Sequence, residues 1–208
     1  MDRTNWRDVP MPPQIAALPR EKRGFPVPYV ANWLPRGGQR DEHIDIRTNI
    51  EYGLHDACSC KPGDPEWEPD LGQMCSPRQR RCMKHKRCQI CTIKLEPPYL
   101  LIGSPKGDTD TWYTEPPVCT SCAAYALRVC PGLITNQRPV AVWACTGYDI
   151  TDQRLFALPD GEPIVLRTEG DSPEVRSGCL TYFMAHPLDG EPVLADQWLH
   201  TFEQKGQT

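Results

Sequence analysis

Cys88-Gln89-Ile90-Cys91 and, after 27 intervening residues, Cys119-Thr120-Ser121-Cys122 decide how this 208-residue chain is read. In each pair the two-residue gap lets both sulfurs of one turn face a single ion at ~2.3 Å, and two such turns complete a tetrahedron. The second pair runs into Ala123-Ala124-Tyr125-Ala126-Leu127-Arg128-Val129-Cys130, stopped by Pro131-Gly132. That pattern predicts a helix whose first turn carries the thiols, with Thr120 or Ser121 as its cap. The positive end of the helix dipole favours ionised sulfur there. A CxxC turn first and a CxxC at a helix start second predict a zinc site of treble-clef or zinc-ribbon-like form. Four buried free cysteines would fit these spacings poorly.

Working outward, Cys58-Ser59-Cys60, Cys75 and Cys82 form a second set, with His55 and His85 as substitute donors. Two readings of it stand: a second zinc site, or part-buried thiols in a loop-rich insert. Cys130 falls on the helical face of Cys122 and Ala126, and Cys145 and Cys179 each stand alone in strand-like runs. All three read as small core residues.

Between the two sets lies a basic run of Arg78, Arg80, Arg81, Lys84, Lys86, Arg87 and Lys94, with no acidic residue from Ser76 to Leu95. Pro77 to Lys86 reads as a helix leading into Cys88. Its positive charge either offsets the formal −2 of a four-thiolate zinc on a solvated face, or contacts phosphate or an acidic partner. The net charge of −4 does not separate these readings.

The composition explains why metal matters. Charged residues are 24% and apolar residues 39%, and the 23 prolines are about twice the usual share of ~5%. Residues 1–45 read as a proline-rich arm with one short helical turn from Gln14 to Leu18. Phe25, Val27, Tyr29, Val30, Trp33 and Leu34 make the arm too apolar to hang free, so it is expected to pack on the body. Residues 46–134 form the cysteine-rich zinc domain, including an acidic loop from Lys61 to Asp70. Beyond 135, short runs (Val140 to Cys145, Arg154 to Leu158, Pro163 to Thr168, Cys179 to Met184) alternate with Asp160-Gly161, Glu169-Gly170 and Asp189-Gly190. These predict a small antiparallel β-rich region, closed by a helix from Val193 to Gln204. The expected fold class is α+β.

The opening Met1-Asp2-Arg3-Thr4-Asn5-Trp6-Arg7 carries no apolar run, so no secretory signal is expected, and no stretch reaches the ~18 apolar residues of a membrane span. A reducing cytoplasm follows, where thiols hold metal more readily than they oxidise, and the odd count of 11 cysteines fits poorly with a closed disulfide framework. Catalysis is not expected. There is no HExxH, no HxE ahead of the paired cysteines, no histidine from Thr92 to Val118, and no phosphate-binding or nucleophile-elbow motif.

Pro13 to Pro28 (PQIAALPREKRGFPVP), Arg78-Gln79-Arg80 ahead of Cys88-Gln89-Ile90-Cys91, and Thr114-Glu115-Pro116-Pro117-Val118-Cys119-Thr120-Ser121-Cys122-Ala123 with Cys130-Pro131 resemble a cysteine-rich family of actinobacteria and their phages. The resemblance covers roughly residues 13 to 134, and the Cys58 to Cys82 insert departs from the shorter bacterial members. The chain also resembles the phage recombination directionality factors that partner large serine integrases. That resemblance implies a non-enzymatic protein of the bacterial host cytoplasm. It would bind integrase on DNA, promote excision and inhibit integration, with direct DNA binding weak or absent. The alternative is a zinc protein that binds nucleic acid itself, as a transcription or replication accessory, through Arg78, Arg80, Arg81, Lys84, Lys86 and Arg87.

Overall fold

Residues 5–37 are shaped by their prolines. The computed structural model of the chain describes residues 5–37, 44–49, 53–58, 60–104, 112–134, 139–157, 163–167 and 180–205. Pro13–Ala16 forms a single helical turn, α1, with proline in its first turn, where the missing N–H has no intrahelical role. Ile15, Val27 and Val30 are buried, and the backbone N–H groups of Tyr29 and Val30 donate to the carbonyls of Ile90 and Gln89.

Strand β1 (Ala31–Pro35) then pairs antiparallel with β4 (Trp67–Met74). The end of the acidic stretch expected as a loop, from Trp67 to Asp70, is therefore strand. Pro69 is tolerated because a two-stranded sheet has only edges, where a missing donor costs no ladder bond. Between them β2 (Ile44–Asn49) and β3 (Gly53–Cys58) form a hairpin.

Helix α2 (Ser76–Lys84) follows Cys75 directly, with proline again in its first turn. Gln79, Cys82 and Met83 are buried while Arg81 and Lys84 face solvent, which is the i, i+3, i+4 stripe of an amphipathic helix. Strand β5 (Tyr99–Gly103) is buried along its whole length. It lies within the stretch joining the CxxC pairs, and its continuous apolar run has none of the alternation that marks a half-exposed strand. Helix α3 (Thr120–Val129) ends where Pro131 forbids its continuation, and a further turn, α4 (Pro131–Ile134), follows.

The C-terminal third supplies β6 (Ala141–Cys145), β7 (Tyr148–Ala157), β8 (Pro163–Arg167), β9 (Leu180–Pro187), β10 (Pro192–Leu194) and the closing helix α5 (Ala195–Lys205). Its strands form two antiparallel three-stranded sheets, ordered β10-β6-β5 and β8-β7-β9, so the class is α+β. Sheet pairing crosses the expected boundary at 134/135, because β5 is the partner of β6. The Asp189-Gly190 turn takes φ +80° at Gly190, where a Cβ would meet the Ala144 carbonyl at 2.3 Å, so only glycine fits. The turns expected at Asp160-Gly161 and Glu169-Gly170, and Cys179, lie outside the described residues. Among the described residues no helix is long and apolar enough to cross a membrane.

The main core joins Leu101, Tyr113, Val118, Leu127, Val142 and Met83 with Cys88 and Cys122. A smaller cluster of Val27, Ala31 and Trp33 has Cys60 and Trp67 packed against it. Gln79, fully buried, ties the halves of the chain together. Its amide Nε2 donates to the carbonyls of Thr114 (2.7 Å) and Phe183 (2.6 Å), and its Oε1 accepts from the Phe183 N–H (3.0 Å). Gln79→Leu keeps the volume but strands these backbone groups at a cost of about 1–3 kcal/mol each. A loss of about 3 kcal/mol in denaturant-measured stability is expected; a change under about 1 kcal/mol would show that water replaces the amide there.

Candidate metal centre

Residues 86–95 fold into a tight hairpin because their backbone bonds close on themselves. The Cys88 N–H donates to the Ile93 carbonyl and the Thr92 N–H to the Cys88 carbonyl, both at 2.9 Å, while the Leu95 N–H reaches the Lys86 carbonyl at 2.8 Å. Closing the turn requires φ +64° at Thr92, a conformation that a β-branched residue adopts at a cost of ~1–2 kcal/mol. The Arg87 guanidinium donates to the Thr92 carbonyl at 2.9 Å and fixes it. Both cysteines of this hairpin turn inward.

The second pair comes from a different device. Strand β5 receives the Val118 N–H on the Leu100 carbonyl, which brings Cys119 to the N-cap of α3, and the Pro117 carbonyl accepts from the Gln89 N–H at 2.9 Å. The hairpin is thus bonded directly to the segment that enters the helix. Thr120 and Ser121 do not cap the helix: Cys119 is the N-cap residue and makes no side-chain cap bond. The Ser121 hydroxyl instead accepts from Gln14 and stands 3.7 Å from Cys119 Sγ.

The sulfurs of Cys88, Cys91, Cys119 and Cys122 all lie within 4.8 Å of one another, and those of Cys91 and Cys119 are 3.8 Å apart. Two sulfurs bound at ~2.3 Å to one tetrahedral ion stand ~3.8 Å apart, so the set matches the size of a metal cage. Cys88 and Cys122 are fully buried, Cys91 and Cys119 partly. Hydrogen bonds from Cys122, then from Cys88 and Cys91, hold the Cys119 thiol far below its ordinary range. The same bond to Cys119, then those to Cys88 and Cys91, pushes Cys122 well up.

The second set is smaller than expected. Cys58 at the end of β3, Cys60, and Cys75 at the N-cap of α2 bring their sulfurs within 4.8 Å of one another. Cys82 is not among them. It lies seven residues beyond Cys75 on the same helix, and at ~1.5 Å per residue that is about 10 Å away along the axis. Its fully buried thiol donates to the Cys88 carbonyl at 3.9 Å and is pushed up to about 12 by burial. His85, the exposed C-cap of α2, belongs to neither set, and His55 is in β3, its side chain outside the described residues.

The basic run divides. Arg78 is 8% exposed, donates to the carbonyls of Tyr29 (3.1 Å) and Cys60 (3.4 Å), and stacks on the Tyr29 ring. It is an internal group and not the partner-facing one expected. Arg87 is half-buried and occupied by Thr92. Arg80 is half-buried, whereas Arg81, Lys84, Lys86 and Lys94 are exposed, with Lys86 lying 5.0 Å from the Tyr99 ring centroid. Cys130, expected in the core, is only half-buried at the C-cap of α3.

Cys145 is buried and its thiol donates to the Tyr99 carbonyl at 3.7 Å. Comparison of the chain with protein-family models, curated proteins and solved structures gave no match.

Burial, and then the Asp189 charge, push the Cys145 thiol up to about 11 from an ordinary value of 9.0. Its stabilising contribution is therefore complete below pH 9 and lost as pH rises through 11, because the unfolded thiol ionises first. Iodoacetamide at pH 8 is expected to modify half-exposed Cys130 and spare Cys145, as read by peptide mass spectrometry. Equal labelling of the two in the folded protein would contradict the buried placement.

Proposed function

We propose that this chain is a zinc-stapled, non-catalytic accessory protein of DNA recombination. It acts as a directionality factor that binds a large serine integrase on DNA, favours excision and suppresses integration. The observation that carries the non-catalytic part is the closure of the first sulfur set. Four cysteine donors saturate a tetrahedral ion and leave no position for water or substrate. Tetrahedral all-sulfur coordination suits zinc, which brings no redox chemistry of its own. A hairpin carrying one pair and a helix start carrying the other support the reading of a treble-clef or zinc-ribbon-like site. The recombination role rests on the resemblance of the chain to phage recombination directionality factors.

In physical terms the task is a shift of population. A rigid ligand that binds one arrangement of the integrase–DNA complex better than another moves the balance by that difference in affinity, and a coupling of 1–3 kcal/mol changes it about 5- to 150-fold. The setting is the cytoplasm of a bacterial cell, where the thiols stay reduced. A second reading, direct nucleic-acid binding, is favoured by the exposure of Arg81, Lys84, Lys86 and Lys94 around the hairpin.

Two measurements test the proposal. Zinc removal comes first: a strong chelator is expected to lower the thermal midpoint sharply, and Cys119→Ser to unfold the segment around the hairpin, since metal affinity there is folding free energy. Near-zero zinc in native protein, with thermal stability unchanged in chelator, would remove the metal reading. The second is reconstituted recombination. The protein is expected to retard the integrase–DNA complex further in a gel, permit excision and slow integration, while leaving free duplex unshifted. Steeply salt-dependent binding to free duplex, abolished by charge reversal at Arg81, Lys84 and Lys86, would select the second reading instead.

A further inference from the structure

The three sulfurs of Cys58, Cys60 and Cys75 are one donor short of a tetrahedron. We propose that they form a second zinc site of three sulfurs and one oxygen, in which the side-chain amide oxygen of Asn32 is the fourth donor. The inference stands on these residues alone and does not require the recombination role.

Asn32 lies in β1 and is 3% exposed, and its Oδ1 accepts a hydrogen bond from the Cys60 thiol at 3.8 Å. A sulfur at ~2.3 Å and an oxygen at ~2.0–2.2 Å from one tetrahedral zinc stand ~3.6 Å apart, so the pair already sits close to a coordination edge. Metal binding takes the proton from Cys60 and with it this hydrogen bond. An amide oxygen left facing a thiolate is then repelled unless the ion comes to bridge the two.

The charge balance favours a neutral fourth donor. Three thiolates and a divalent ion carry −1, and the Arg78 guanidinium, held against the Cys60 carbonyl, supplies +1. A carboxylate or a fourth thiolate would leave an uncompensated charge at a partly buried site, a cost that an amide avoids. Such a site would fasten the end of β3 and the start of α2 to β1, around the small cluster of Val27, Ala31 and Trp33.

The test uses the full chain. Native mass spectrometry is expected to find two zinc ions in the wild type and one in Cys58→Ser, a change at an exposed position that leaves circular dichroism near native. Chelator competition then grades the second ion: Asn32→Leu is expected to weaken it at least ~10-fold, and Asn32→Asp, which keeps an oxygen donor but adds a charge, to weaken it less than Asn32→Leu does. If Asn32 only donated its N–H to a thiolate, Asn32→Asp would weaken binding more than Asn32→Leu, and that order overturns the assignment. So does an affinity unchanged by either substitution. A wild type with a single zinc, lost in Cys119→Ser and kept in Cys58→Ser, refutes the second site and leaves the first intact.

Discussion

Two sulfurs from a hairpin and two from the first turn of a helix meet at one point inside the main core, and the remaining architecture is arranged to keep them there. The hairpin has little apolar substance of its own: Ile93 at its tip is 58% exposed, and Thr92 holds an unfavourable backbone conformation. What fixes it is its bonding to neighbours, with Gln89 on Pro117, and Tyr29 and Val30 on the turn between the cysteines. Four thiols brought this close inside a protein impose a cost of their own, because the charge they develop is poorly solvated. An ion that takes all four removes that cost and joins segments 28 residues apart in sequence.

Helix α2 links this point to the rest of the molecule. Its N-cap, Cys75, belongs to the three-sulfur set, and its C-terminal end leads into the hairpin of the four-sulfur set. Between those ends Gln79 bonds to Thr114 and Phe183, and Tyr148 donates its hydroxyl to the Met83 carbonyl at 2.8 Å. Nine residues therefore connect both sulfur sets and the C-terminal strands. This is how a chain with so many prolines keeps one continuous main core: bonds to a short amphipathic helix replace the long packed elements that its composition excludes.

Legibility in the sequence followed the strength of local constraint. The four-sulfur set was legible because a CxxC turn fixes sulfur geometry within four residues, and α3 because an apolar run follows it up to a proline. Strand β5 was not, since Tyr99-Leu100-Leu101-Ile102 is a short apolar run without alternation and sits in a stretch that the cysteine spacing alone treats as a connecting loop. Strand β4 was hidden by Pro69 and its acidic neighbours, which are tolerated only because its one partner is β1. Cys82 looked like a fourth donor by count. Helical rise carries it away from Cys75, and only a reading that gave α2 priority over ligand number would have excluded it. Asn32 carried no signal, because nothing in its local sequence places it beside Cys60, 28 residues further along the chain.

The basic run shows how sequence proximity and spatial role come apart. Read along the chain it is one patch; folded, it has at least two parts. Arg78 and Arg87 bond to backbone carbonyls beside the two sulfur sets, and with Arg81 they bear on the Cys82 thiol that lies beneath Cys88. Sulfur sets that accumulate negative charge need positive charge nearby whatever the protein binds, so these arginines are accounted for by the fold. Arg81, Lys84, Lys86 and Lys94 face solvent, and in water at physiological salt a surface charge acts over only ~8 Å. Lys86 and Lys94 belong to the hairpin that carries exposed Ile93, so a recognition surface built on those two would read an apolar contact and positive charge together. That geometry fits a protein surface with an acidic rim at least as well as a phosphate backbone, because a phosphate track offers Ile93 nothing to bury.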